Sequence, residues 1–318
     1  MAYDPSNPAG STSFAAHATT GVISAGTDIA LKVFSGEVLT AFAKKNVFMP
    51  LVTTRTINSG KSAQFPVIGR IEDTGTAPNV NYATKVHIPG NDIAVSTVAQ
   101  AEQVITVKAR RYASVFVDDL EEAMSHYEVR GQYSTEIGNV LSNKVDSAVI
   151  AQLAACTTAT NKTGQPSANA KNVLGLTNST ALKAAFPDKL VEAMFDTQTV
   201  FDNNDATGER TLVLNPEAYY LLVQSSKAVN RDWTSSNGGI DTGNVFKIAG
   251  VPVVVSTNLP SGTWGFMFTP QAVGVVKLID IKSEANYIPE KLGTLLVSSY
   301  AMGEGVLNAG CSQQFTTT

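Results

Sequence analysis

The sequence predicts an α+β chain, and three observations predict it. Tyr133, Ile137, Leu141, Val145, Ala148 and Gln152 follow a 3.6-residue period, so residues 129–155 read as one long helix. Strand-forming runs occupy residues 211–214, 248–256, 273–281 and 292–300, and the first two lie among helical stretches. Residues 57–107 hold strand-like pieces with too little apolar surface for a core of their own.

Taken from the N-terminus, residues 1–27 are mostly Ser, Thr, Ala and Gly without a period, which describes an extended arm ordered only by what it lies against. Leu31, Phe34, Val38 and Phe42 then give a helix over 29–45 one greasy stripe. Thr27-Asp28 offers oxygen atoms to cap its start, and Lys44 and Lys45 suit the negative end of its dipole. Strands are expected at 63–68, 82–88 and 103–108, separated by Gly75, Pro78 and Pro89-Gly90. A two-stranded hairpin is marginal in water, so this stretch is either a disordered loop or a β-arm stabilised on a neighbour.

Residues 111–117 are rich in strand formers, and Asp118-Asp119 opens a short helix over 120–126 before the long one. At 1.5 Å per residue the long helix reaches roughly 40 Å. Gly131 and Gly138 each weaken it by about 1 kcal/mol, a cost that close packing of another backbone would explain. Residues 157–178 read as a loop, 187–202 as an amphipathic helix, and Pro216 as the start of a helix running to about Lys227. A polar loop containing Trp233 and Gly238-Gly239 leads to a strand pair or bulged strand over 248–256. After the strands at 273–281 and 292–300 the tail loosens into Gly, Asn, Ser, Gln and Thr. No segment repeats at a fixed period, and no linker stands apart.

At 318 residues and 43% hydrophobic the chain can bury a sizeable core. Charged residues are only 16%, against roughly 25% in typical domains. Either other subunits cover part of the surface or this is an ordinary Ser/Thr-rich protein, and composition alone leaves both open. A net charge of -4 argues against a strong sequence-independent grip on nucleic acid. Cys156 and Cys311 provide neither metal spacing nor a disulfide framework and read as reduced thiols in a cytosolic setting. The start Met-Ala-Tyr-Asp-Pro has no basic region, and no apolar run approaches the ~20 residues of a membrane span.

Catalytic patterns fail one after another. Gly60-Lys61-Ser62 looks like the end of a phosphate loop, but Arg55 stands where that loop needs glycine, and Pro66 opposes a following helix. A flexible joint is the better reading. Asp118, Asp119, Glu121 and Glu122 could hold a metal or run acid–base chemistry, yet acids in a first helical turn complement the dipole with no further purpose. His17, His87 and His126 share no ligand spacing, and no nucleophile elbow or dinucleotide fingerprint occurs. The expectation is no enzyme, no cofactor and no metal. The basic pairs Lys44-Lys45 and Arg110-Arg111 are better placed as partners for acidic patches on neighbouring subunits.

The order helix, joint and arm in Leu31–Ala43, Ser59–Pro66 and Gln64–Gly69 resembles the start of the major capsid proteins of short-tailed, autographivirus-type phages. The likeness continues through Glu121-Glu-Ala-Met-Ser-His-Tyr-Glu-Val-Arg130, Ala272–Asp280 and Tyr300-Ala-Met-Gly303. It implies a Hong Kong 97-type fold. In that fold residues 1–56 would be an N-terminal arm and short helix, and 57–107 an extended β-arm. Residues 108–156 with 273–318 would form a peripheral domain carrying the spine helix, and 157–272 an axial domain. The resemblance implies a shell of hexamers and pentamers in the virion, assembled in the host cytoplasm with a scaffolding protein. A portal protein would occupy one vertex, packaged double-stranded DNA would be touched non-specifically, and no membrane is involved. Candidate subunit contacts are Lys61, Phe65, Arg70 and Lys85 in the arm, and Arg110, Arg111, Glu121 and Glu122 beyond it. No asparagine and acid match Lys61 or Lys85, so no covalent cross-link between subunits is expected. An encapsulin-like compartment is the alternative within the same fold. An α/β hydrolase and a tail or fibre protein are alternatives outside it.

Overall fold

The structure is a computed structural model that describes residues 22–68, 89–90, 92, 100–124, 130–159, 168–174, 180–206, 208–223, 238–239, 244–245, 247–248 and 250–316. In chain order its elements are α1 (Val22–Lys45), β1 (Thr53–Thr56), β2 (Ser62–Ile68), β3 (Gln100–Thr106), β4 (Arg111–Asp118), α2 (Asp119–Met124) and α3 (Arg130–Ala155). Next come β5 (Asn172–Val173), α4 (Thr180–Asn203), β6 (Thr211–Leu214), α5 (Pro216–Val223), β7 (Gly238–Gly239), β8 (Asn244–Val245) and β9 (Lys247–Ile248). The chain closes with β10 (Val251–Val255), β11 (Thr263–Phe268), β12 (Val273–Ile288), β13 (Gly293–Val306) and β14 (Ser312–Thr316). The chain divides into two compact units, the first made of residues up to Lys45, Arg110–Ser142 and Asp280–Tyr300, the second of the remainder.

In the first unit the predicted stripe of α1 is buried at Phe34, Val38 and Phe42, with Ile137 and Leu141 of α3 also buried. A Cβ on Gly138 would fall 2.8 Å from the Val38 carbonyl oxygen, so the two helices meet backbone to backbone. Glu37 accepts a hydrogen bond from the Ser134 hydroxyl beside this contact. Helix α1 begins at Val22, so Thr27 and Asp28 lie inside it and cannot cap it. The intervening Gly26 costs about 1 kcal/mol, too little to stop a helix at that point. The unit's strands are the second half of β12, the first half of β13 and β4, in that order. β13 and β4 pair antiparallel from Gly293↔Asp118 to Tyr300↔Arg111.

In the second unit six strands run in the order β5-β14-β11-β6-β10-β9. β6 is buried at all four positions, as expected of a buried strand over residues 211–214. Phe186 of α4 packs on Trp264 with ring centres 4.7 Å apart, and Phe48 stacks on Phe268 at 6.2 Å. Asn215 caps α5, its side chain accepting the Ala218 N–H at 2.7 Å with Pro216 at the first helical position. α4 starts before the expected Pro187, which sits within the helix. Burial of Phe186, Leu190, Met194 and Phe201 carries the helix through that interruption.

The expected loose tail is instead β14, paired between β5 and β11 and buried throughout. Its amides find partners: Gln314 Nε2 donates to Thr263 Oγ1 at 3.0 Å, and Gln313 Nε2 donates to the Ala170 carbonyl. Asn169 Nδ2 donates to the Gly310 and Ser312 carbonyls at 2.9 and 3.0 Å. Polar side chains enter a core when their hydrogen bonds are replaced, as the Nε2 groups of Gln313 and Gln314 show, although Gln314 Oε1 finds no partner among the described residues.

Asp146 of α3 is fully buried and accepts the N–H groups of Val47 and Phe48, each at 3.2 Å. This carboxylate terminates the chain's turn out of α1. Asp146→Ala is expected to lower unfolding free energy by about 2 kcal/mol, because one buried and one half-buried donor lose their acceptor. Asp146→Asn should lose less, and urea denaturation of the purified chain measures both.

Candidate assembly surfaces

Strands β2 and β3 pair antiparallel from Ser62↔Thr106 to Ile68↔Gln100, making a ribbon. Its root is seated in the second unit. Ala63, Ile105 and Val276 form a small buried cluster flanked by Ile57, Phe65, Val107 and Leu307. Ile105 lies against β12 and β13 where they have no side chains: Cβ atoms on Gly274 and Gly305 would each come within 2.9 Å of it. A Cβ on Gly303 would stand 2.2 Å from the Thr106 carbonyl oxygen. The Lys108 ammonium meets Glu304 Oε2 at 2.6 Å, with the Glu304 side chain 3% exposed. Val107 N–H donates to the Lys61 carbonyl at 2.8 Å, and Lys108 N–H to the Met302 carbonyl at 3.1 Å. Arg55 of β1 lies over the Phe65 ring at 5.8 Å and donates to the Gln64 carbonyl.

This socket was not among the sequence-based candidates. Two glycines flanking a glutamate in Gly303-Glu304-Gly305 were its signal, because glycine inside a strand marks a close backbone approach. Gly60 adopts φ +100° in the turn between β1 and β2. Gly60-Lys61-Ser62 therefore joins strand to strand and has no following helix to cradle a phosphate. Lys61 is exposed and Phe65 half-buried. Arg70, Lys85 and the strand expected over 82–88 lie outside the described residues.

In the first unit, Arg110 donates from Nε and Nη2 to Ser299 Oγ at 3.0 and 2.7 Å, and Arg111 is half-buried opposite Tyr300. β4 is an edge strand, and its alternate residues face outward, with Tyr112 72% and Phe116 40% exposed. The Phe116 ring covers Gly293, where a Cβ would fall within 2.5 Å of it. Asp118 Oδ1 accepts the Leu120 N–H at 2.8 Å and so caps the start of α2. A hydrogen bond with Asp119 pushes the Tyr287 hydroxyl pKa up, with desolvation and the Asp119 and Asp118 charges adding to it. Glu121 and Glu122 belong to α2, but their side chains are outside the described residues. Among the described residues no cluster of His, Cys, Asp and Glu could hold a metal, and no helix is long and apolar enough to cross a membrane.

Cys156 and Cys311 are free and buried. Burial, then the neighbouring Cys311, pushes the Cys156 thiol up to about 12, and burial raises Cys311 as well. Such thiols are poor nucleophiles.

Over residues 77–266 the chain matches the family described as Gp10A-like: Major capsid protein. It is 28% identical over 332 residues to the major capsid protein of Escherichia phage T7, an alignment covering 90% of this chain and 92% of that one. It is also similar to the capsid structure of the cyanophage P-SCSP1u, with a TM-score of 0.71 and 32% identity, covering 85% of this chain and 88% of that one. The mature capsid of bacteriophage PhiM1 matches in fold, with a TM-score of 0.67 and 16% identity over 85% of this chain and 86% of that one. The architecture is thus the α+β Hong Kong 97-type capsid fold.

Gly303→Val is expected to unseat the ribbon root and destabilise the chain by about 1–3 kcal/mol, read as a lowered denaturation midpoint. Between the ordinary thiol pKa of 9.0 and about 12, the unfolded chain ionises Cys156 while the folded chain keeps it protonated. The stability contribution is complete below the lower value and is lost as pH rises, at up to about 1.4 kcal/mol per pH unit. Cys156→Ala should flatten that alkaline slope in urea titrations.

Proposed function

The chain belongs to the Gp10A-like family of phage major capsid proteins, and from that premise we propose how its copies close a shell. It is a structural protein of the virion that forms the icosahedral capsid, and it is not an enzyme. In our reading the copies group as hexamers and pentamers. Residues 57–107 act as an extended arm laid on a neighbour, and residues 1–56 as an N-terminal arm with a short helix. Residues 108–156 with 273–318 make a peripheral domain around the spine helix, and 157–272 an axial domain.

The observation that carries this reading is the ribbon root. A two-stranded ribbon is marginal by itself, yet β2–β3 is bolted to its own subunit through Ile105, the glycine backbones and the Lys108–Glu304 pair. Such anchoring makes sense for an element that bears load beyond its own subunit. Lys61 and Phe65 on it, with Arg70, Lys85, Arg110, Arg111, Glu121 and Glu122, are the proposed subunit contacts. Many modest contacts that wrap neighbours add avidity while each stays reversible during assembly. A scaffolding protein, a portal at one vertex and non-specific contact with double-stranded DNA complete the proposal. A cargo compartment of the same fold would instead enclose protein, so nucleic acid in purified particles separates the two.

Replacing residues 69–99 by a short Gly-Ser turn leaves the paired strands and Ile105 in place. The expected product is soluble chain that forms no closed particles in electron micrographs. Normal shells from this variant would refute the arm's role.

A further inference from the structure

The open edge of β4 reads as one half of a two-fold contact. Asp119 N–H donates to the Leu292 carbonyl at 3.1 Å, which places the backbone groups of the odd-numbered residues toward β13. The N–H and C=O groups of Tyr112, Ser114 and Phe116 therefore point to the other side, where no strand pairs among the described residues. An open edge of this kind is a template for another strand. Its outward face reads Tyr112, Ser114, Phe116, Asp118, with Arg110 just before the strand, and all of these but Asp118 are exposed. The order is cation, aromatic, small polar, aromatic, anion.

That order is its own complement when reversed. We infer that β4 pairs antiparallel with β4 of a second copy about a two-fold axis at Ser114. Tyr112 then stands opposite Phe116 of the partner subunit, and Arg110 opposite Asp118 of the partner subunit, each pair occurring twice. Opposite-charge and aromatic pairs are the favourable cross-strand neighbours. A register shifted by two residues sets Tyr112 against the partner's Asp118 and leaves both complementary pairs unmade. A parallel pairing sets Arg110 against its own copy, where like charges repel. The antiparallel register keeps the outward faces of both sheets on one side, as a two-fold perpendicular to the sheet requires. Icosahedral shells contain two-fold axes, so the contact rests on the shell reading for its setting but not for its geometry.

The test places Ser114→Cys on the axis, opposite the partner's own position 114 at a Cα separation of about 5.5 Å. Particles of this variant are treated with dibromobimane, a short thiol–thiol linker, and run on a denaturing gel. A dimer band is expected for Ser114→Cys and none for the exposed control Ser147→Cys, because the native thiols are buried. Arg110→Asp and Asp118→Arg should each lower particle yield about tenfold, and the double exchange should restore it, because both pairs regain opposite charges. Thermal melting of each variant separates misfolding from lost contact. A band no stronger than the control, a cross-link to a chain of another mass, or a double exchange as defective as the singles would overturn the inference. If the unaltered chain forms no particles even with its scaffolding protein present, the shell reading falls, and the same cysteine read on soluble chain at high concentration still decides the contact.

Discussion

The seating of Ile105 on bare backbone is the contact on which the rest of this subunit's working parts depend. β3 can lie across β12 and β13 only because Gly274, Gly303 and Gly305 present no side chains there. That absence lets a branched side chain reach 2% exposure in a place with few apolar neighbours. Around it the pairing of β1 with β12, the Lys108–Glu304 pair and the Arg55–Phe65 contact converge on the same few residues. Glu304 would be costly buried alone, and the ammonium at 2.6 Å is what makes its place tenable. A ribbon root held this firmly takes its direction from the strands beneath it.

The polar chemistry elsewhere serves structure in the same manner. Asp118 caps a helix, Asp146 satisfies the backbone leaving α1, and Arg110 is tied to Ser299. The thiols are protonated well beyond neutral pH, which suits filling material in a core. What is left exposed is equally informative. Tyr112, Leu120, Met124, Tyr287 and Leu292 all lie in the first unit and stand more than half in solvent. Large apolar groups at that density, with a low share of charge, suit a surface meant to be covered by copies of the same chain.

An open sheet edge is a hazard to a protein that must remain alone. For a chain whose function is to meet itself many times, the same row of unpaired backbone groups supplies direction and register. Residue pattern then decides which meeting is productive, since backbone bonds alone would tolerate many.

Local chemistry made much of this molecule legible in the sequence. The 3.6-residue stripe of α3, the Pro216 start of α5, the strand over residues 211–214 and the strand-forming residues of β4 need no distant partner to be recognised, because period, helix-start chemistry and composition act within a few residues. The quoted motifs carried the family, and with it the shell. Tertiary structure alone decided the rest. Gln313 and Gln314 read as a loose tail until Ala170 and Thr263 are brought beside them to replace water. β11 carries no alternation because both of its faces are covered. Gly303 and Gly305 mark a close approach in the sequence, but what approaches is decided only when β3 arrives against them. In each case the deciding atoms lie far along the chain, and a residue's neighbours in sequence carry no record of what the fold will set against it.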